Sequence, residues 1–220
     1  MTAAMAVPDH RLHLVTDTTL CGSVGVAATV AAALAGGVTV VQVRDPQAST
    51  RQLLDLAWAV THELQGTGVP LVVNDRLDVA LAAGADGVHL GQSDLPPEDA
   101  RRLARAAGVG DLLIGWSAAT DDDLRRLGEL PAGTVDYLGS GPVWSTSTKD
   151  AGPAIGLDRL AAVCRAVSLP VVAIGGVTPA NAAACRAAGA AGVAVVSAIC
   201  GQPDPAAATR AVRAGFESAP

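Results

Sequence analysis

The chain has 220 residues, half of them hydrophobic, with a formal net charge of −6 and four cysteines. That balance excludes a broad nucleic-acid or anionic-membrane surface, which would need clustered Lys and Arg, so neither partner is expected and any anion site must be local. No run reaches the roughly 20 uninterrupted apolar residues of a membrane span, and residues 1–10 show no basic or apolar leader pattern, which together point to a cytoplasmic protein.

Residues 1–10 read as an N-terminal extension. From there, short β-branched runs alternate with helical patterns. Strands are predicted over Arg11–Asp17, Val38–Asp45, Pro70–Asp75, Gly87–Gly91, Leu112–Ala118, Val135–Gly141, Pro170–Gly176 and Gly192–Ile199. Their near-continuous hydrophobicity suits parallel strands covered on both faces, and the Ala/Leu/Arg segments between them suit crossover helices. Composition is even from end to end, with no linker, so eight such units predict one α/β domain over residues 11–220, a (β/α)8 TIM barrel. A doubly wound open sheet would carry a Gly-rich phosphate turn after the first strand, where this chain has Thr16-Asp17-Thr18-Thr19.

An internal repeat supports the barrel. Ala35-Gly36-Gly37-Val38, Ala83-Gly84-Ala85 and Ala188-Gly189-Ala190 each end a helix and lead into a strand, with glycine expected in the left-handed conformation. Cys21, Cys164, Cys185 and Cys200 form no CxxC pair and sit in apolar stretches, as reduced, buried small hydrophobes would.

The opposite strand ends are polar, and in such barrels they converge on one face and build the active site. Gln42 and Arg44 share one face of the second strand, above Val38 and Val40, which would fill the interior. Arg44 then points at a ligand or pairs with Asp45 or Asp75 on the rim. Asp75 and Asp94 end neighbouring units, close enough to share one ion; hard oxygen ligands in small number suit Mg²⁺, and helix capping is the alternative. His89 has no second histidine at ligand spacing and reads as a hydrogen-bonded imidazole. The last two strands carry Gly176, Val196 and Ser197 toward their ends, and the loops there are the recurring place for a phosphate.

The loop after the sixth strand holds the only lysine of the chain, Lys149, among Thr146, Ser147 and Thr148. Fourteen other basic residues are arginine, so this position calls for a compact, mobile ammonium, unless it is simply a solvated loop residue. Two anion zones, here and after the last strands, predict two small phosphorylated ligands.

Taken together, Gln42-Val43-Arg44-Asp45, Asn74-Asp75-Arg76, Gly87-Val88-His89-Leu90-Gly91-Gln92-Ser93-Asp94, Ser117, Gly141-Pro142 through Thr146-Ser147-Thr148-Lys149, Ala173-Ile174-Gly175-Gly176 and Val195-Val196-Ser197-Ala198-Ile199 resemble thiamine phosphate synthase over nearly the whole chain. The resemblance implies a transferase joining hydroxymethylpyrimidine diphosphate to thiazole phosphate with release of pyrophosphate. It implies that Gln42, Val43, Arg44, Asp45, Pro46, Asn74, Ser117 and Lys149 hold the pyrimidine diphosphate, with Arg44, Ser117 and Lys149 acting in catalysis. It further implies that Thr146, Ser147, Thr148, Gly176, Val196 and Ser197 hold the thiazole phosphate and that Asp75 and Asp94 bind Mg²⁺. The chain departs from the family pattern at Pro46, where a lysine is usual, at Ser145 and Ser147, where prolines are usual, and at Trp144, where phenylalanine is common. The missing lysine favours a related thiazole tautomerase as the alternative, and a catalytically silent binder of thiamine precursors is a third reading. The oligomeric state is left open.

Overall fold

Eight short strands in which side chains alternate inward and outward close on themselves. The computed structural model describes residues 8–146 and 152–218. Strands β1 (Leu12–Val15), β2 (Val40–Val43), β3 (Leu71–Asn74), β4 (Gly87–Leu90), β5 (Leu113–Ser117), β6 (Tyr137–Ser140), β7 (Val171–Ile174) and β8 (Gly192–Val195) pair in sequence order, and β8 pairs back to β1. Every pairing is parallel. The barrel predicted from the alternation of runs is therefore the observed fold.

Helices α1 (Thr18–Cys21) and α2 (Val26–Gly36) follow β1. Then α3 (Thr50–Leu64), α4 (Leu77–Ala83), α5 (Pro97–Ala106), α6 (Asp121–Glu129), α7 (Gly156–Ala166), α8 (Ala182–Ala187) and α9 (Pro205–Glu217) follow the later strands in turn. Ser49 with Gln52, and Thr120 with Asp123, form reciprocal capping boxes that satisfy orphan amides at the starts of α3 and α6. Among the described residues no single helix is long and apolar enough to cross a membrane.

The three Ala-Gly joints share one hydrogen-bond pattern. Val38 N–H donates to Ala33 O, Ala85 N–H to Ala80 O and Ala190 N–H to Cys185 O, each spanning a glycine at positive φ. That is the six-to-one closure of a Schellman motif, which only a left-handed residue permits without strain. A fourth copy, Val109 N–H to Ala104 O across Gly108, was not read from the sequence.

Outward-facing residues such as Leu14, Val41, Val73, Ile114 and Val193 pack beneath the helices. Inward-facing Val15, Val40, Val72, Leu113, Tyr137, Val172 and Ala194 fill the barrel. Val38 is a correction: it precedes the start of β2 and packs in the helix layer instead of the interior. The strands are also shorter than predicted, because residues such as Val196 and Ile199 are apolar for packing at a turn, not for pairing. His10, placed by sequence in an extension, is buried at the barrel floor with its ring 4.9 Å from that of Tyr137. Cys21, Cys185 and Cys200 are buried and Cys164 is half-buried; all are free thiols.

Candidate active site

Inward parity decides which side chains reach the upper mouth of the barrel. One step above the apolar layer, Val40 gives way to Gln42, Val72 to Asn74, Gly87 to His89, and Gly115 to Ser117. These residues and Arg44 line a cavity of about 890 Å³. Asp75, Asp94, Thr146, Gly176, Val196 and Ser197 line the same cavity, so seven βα units, β2 to β8, contribute to one space.

Val43, Asp45 and Pro46 are not among the lining residues. Val43 has the opposite parity and is fully buried against the helices. Asp45 Oδ1 accepts from Gln47 N–H at 3.0 Å, and Ala48 N–H bonds back to Asp45 O. Pro46 therefore occupies the second position of a tight turn, where its fixed φ is suited, and it is exposed. Ser147, Thr148 and Lys149 lie outside the described residues.

Arg44 is held by its main chain. Its N–H donates to Thr16 Oγ1 at 3.0 Å, and the Thr16 hydroxyl returns a bond to Arg44 O, so the end of β1 clamps the residue that follows β2. Its guanidinium makes no ion pair with Asp45 or Asp75, which removes the rim salt bridge as its explanation.

Asp75 has φ +62°, the one positive φ outside glycine among the described residues. Arg76 N–H closes a three-residue turn onto Asn74 O at 2.7 Å, and Asp75 N–H donates across to His89 O at 2.8 Å. An aspartate held in the left-handed region costs about 1 kcal/mol, and such residues cluster at functional sites. It does not cap α4, whose N-cap residue is Arg76. Asp94 likewise does not cap α5, because its Oδ2 folds back to accept from Gly91 N–H at 2.6 Å. The capping alternative fails for both. Two hard carboxylates on one cavity fit Mg²⁺, which binds through one or two carboxylates with substrate oxygens and water completing its shell.

Across the mouth, Gly175 and Gly176 turn beneath residues 142–145. Trp144 N–H donates to Gly175 O at 3.1 Å, and a Cβ on Gly176 would lie 2.7 Å from Trp144 Cβ. Gly176 also has φ +67°, so both conformation and space require glycine there. The Trp144 ring packs against the core. After β8, Gln202 Nε2 donates to Ser197 O at 2.8 Å and fixes the turn carrying Val196 and Ser197.

Several supports of this site are not legible in the sequence: the Thr16 clamp, the strained Asp75, and the bonds of Gln92, whose Nε2 donates to Ser117 O at 2.6 Å while Arg126 holds its Oε1 at 2.9 Å. Each is a contact between distant segments. Only the glycines inside β5 and β6, Gly115 and Gly139, were available as signals of close approach.

A family model described as thiamine monophosphate synthase matches residues 12–199. A thiamine-phosphate synthase of Laribacter hongkongensis is 50% identical over 206 residues, covering 92% of this chain and 93% of that protein. One of Azorhizobium caulinodans is 45% identical over 211 residues, 96% of each chain. A solved thiamine phosphate pyrophosphorylase from Pyrococcus furiosus superposes with a TM-score of 0.84 at 35% identity, covering 96% of both chains.

Proposed function

Because this chain belongs to the thiamine monophosphate synthase family and is a transferase, we propose that its cavity joins hydroxymethylpyrimidine diphosphate to thiazole phosphate, releasing pyrophosphate. The observation that carries this reading is the convergence on one cavity of two carboxylates, Asp75 and Asp94, an arginine with no ion pair among the described residues, Arg44, and the Gly176 turn.

In this reading Gln42, Asn74, Ser117 and Arg44 hold the pyrimidine diphosphate, with Lys149 from the following loop. Asp75 and Asp94 would hold Mg²⁺, which when bound neutralises charge on the departing diphosphate. Arg44 and Lys149 add preorganised positive charge where negative charge grows as the bond from the methylene carbon to the diphosphate oxygen breaks and its electron pair leaves with pyrophosphate. The thiazole nitrogen then supplies the pair that forms the new carbon–nitrogen bond. Thr146, Ser147, Thr148, Gly176, Val196 and Ser197 hold the thiazole phosphate on the opposite side, which orients that nitrogen. Val43, Asp45 and Pro46 contribute through the main chain and the turn that ends β2. No general base is required.

Steady-state kinetics test the assignment of the two ends. Asn74→Ala should raise KM for the pyrimidine diphosphate and leave KM for the thiazole phosphate within about twofold, and Thr146→Ala should do the reverse. Equal effects on both substrates, or the opposite pattern, would contradict the arrangement.

A further inference from the structure

Glycine replaces a side chain at the centre of β5. Gly115 is the register partner of His89 on β4 and of Tyr137 on β6. A Cβ there would collide with Tyr137 Cζ and Oη and with His89 Nδ1. The missing side chain lets rings from the two flanking strands meet across β5. His89 Nδ1 lies 3.1 Å from the Tyr137 hydroxyl, and His89 Nε2 lies 3.0 Å from Ser117 Oγ. Gly139, the register partner of Ser117, clears the other side of the imidazole: a Cβ there would stand 2.9 Å from His89 Cε1. Two strand glycines thus make a slot for a chain running from the barrel interior to the cavity.

The direction of this chain follows from burial. Tyr137 is 2% exposed, and desolvation pushes its pKa upward, so the hydroxyl keeps its proton. Its hydroxyl bonds to His89 alone among the described residues. If it accepted from Nδ1–H, its own proton would be buried without an acceptor, an arrangement that native interiors avoid. Tyr137 therefore donates to Nδ1, which leaves the imidazole proton on Nε2. That nitrogen donates to Ser117 Oγ, and the serine proton must turn elsewhere. With Ser117 O already bound by Gln92, the side chain faces the cavity.

We propose that Tyr137 is a positioning residue that fixes His89 as its Nε2–H tautomer, so that Ser117 presents its hydroxyl proton to an anionic oxygen of the bound pyrimidine diphosphate. This rests on the reading of Ser117 as part of the diphosphate site.

The test combines nitrogen NMR of protein labelled with ¹⁵N-histidine and kinetics, the His89 signals being identified by their loss in His89→Asn. In the parent near neutral pH, His89 Nε2 should resonate as a protonated ring nitrogen and Nδ1 as an unprotonated one. Tyr137→Phe should shift this pair toward the other tautomer. It should also lower kcat/KM for the pyrimidine diphosphate by about 10- to 100-fold, the range for losing a group that orients a ligand-bearing residue, with KM for the thiazole phosphate unchanged. A parent spectrum showing Nδ1–H overturns the proposal even if the variant fails to fold, as does a Tyr137→Phe protein with both tautomer and kcat/KM unaltered. The expected tautomer together with full activity in Ser117→Ala would instead overturn the placing of Ser117 at the diphosphate, and with it the use made of its proton.

Discussion

Asp75 and Asp94 are fastened to the same strand end, two residues apart: Asp75 N–H donates to His89 O at 2.8 Å, and Asp94 Oδ2 accepts from Gly91 N–H at 2.6 Å. One carboxylate is placed by a strained backbone and the other by a charge-assisted bond to an amide, so β4 acts as the common ruler for both.

Charge-removing changes that respect this ruler separate metal binding from folding. Asp75→Asn keeps a residue that tolerates positive φ, so thermal denaturation should show a stability change below about 0.5 kcal/mol, whereas Asp75→Val should cost about 1–3 kcal/mol. In both Asp75→Asn and Asp94→Asn, turnover should require more Mg²⁺ and diphosphate binding should weaken. Unchanged metal dependence in both variants would remove the pair from the metal site.

Pro46 stands where the family usually carries a cation, and the structure gives that position a turn. Arg51, exposed in the first turn of α3, is the nearest following basic residue in sequence. If it substitutes, Arg51→Ala should weaken diphosphate binding by about 1.5–3 kcal/mol, the scale of a charged hydrogen bond, and Pro46→Lys should recover part of this. Pyrophosphate release by the parent, both single variants and the double variant distinguishes compensation from two independent cations, which would act additively.

Much of this was legible in the sequence because it depends on local rules. Parity along β2 turned Gln42 and Arg44 to one face, the polar strand ends put Asn74, His89 and Ser117 on the same rim, and the Ala-Gly joints marked where helices return to strands. What could not be read depends on segments that meet only in the closed barrel. Val43 lies one residue from Gln42 and Arg44 in a continuous motif, yet its opposite parity turns it into the helix layer. Asp75 at positive φ follows from a cross-strand bond to His89, and His10 is a floor residue because the β8 start, Gly192, packs against its carbonyl.

The barrel floor predicts a pH dependence. Burial first, with the neighbouring His10 and His89 adding, holds the pKa of His13 well below its ordinary value; burial also lowers that of His10, against the opposing pull of Asp9 and Asp136. Folded-state pKa values below the unfolded value of about 6.5 mean that the unfolded chain binds more protons below that pH. Stability should be complete above about pH 6.5 and decline as pH falls, by at most about 1.4 kcal/mol per pH unit for each histidine. Denaturant titrations from pH 7.5 to 5 should show this slope, reduced in His13→Gln. An equal slope in the variant would assign the acid sensitivity to other groups.

Gly176 couples the loops that follow β6 and β7, on the side proposed to hold the thiazole phosphate. Gly176→Ala brings a Cβ within 2.7 Å of Trp144 Cβ and 3.1 Å of Ser145 O at a φ of +67°, so it should destabilise the fold by about 1–3 kcal/mol. It should also raise KM for the thiazole phosphate more than for the pyrimidine diphosphate. A variant with parental stability and kinetics would mean that the turn relaxes freely and is no cradle.

The most direct measurement is the stoichiometry of products when the purified protein is mixed with hydroxymethylpyrimidine diphosphate, thiazole phosphate and Mg²⁺. Pyrophosphate and thiamine phosphate should appear one for one, only with both substrates present, and greatly slowed in Asp75→Asn and Asp94→Asn. Binding of either substrate without pyrophosphate release, or release unaffected by both substitutions, would contradict it.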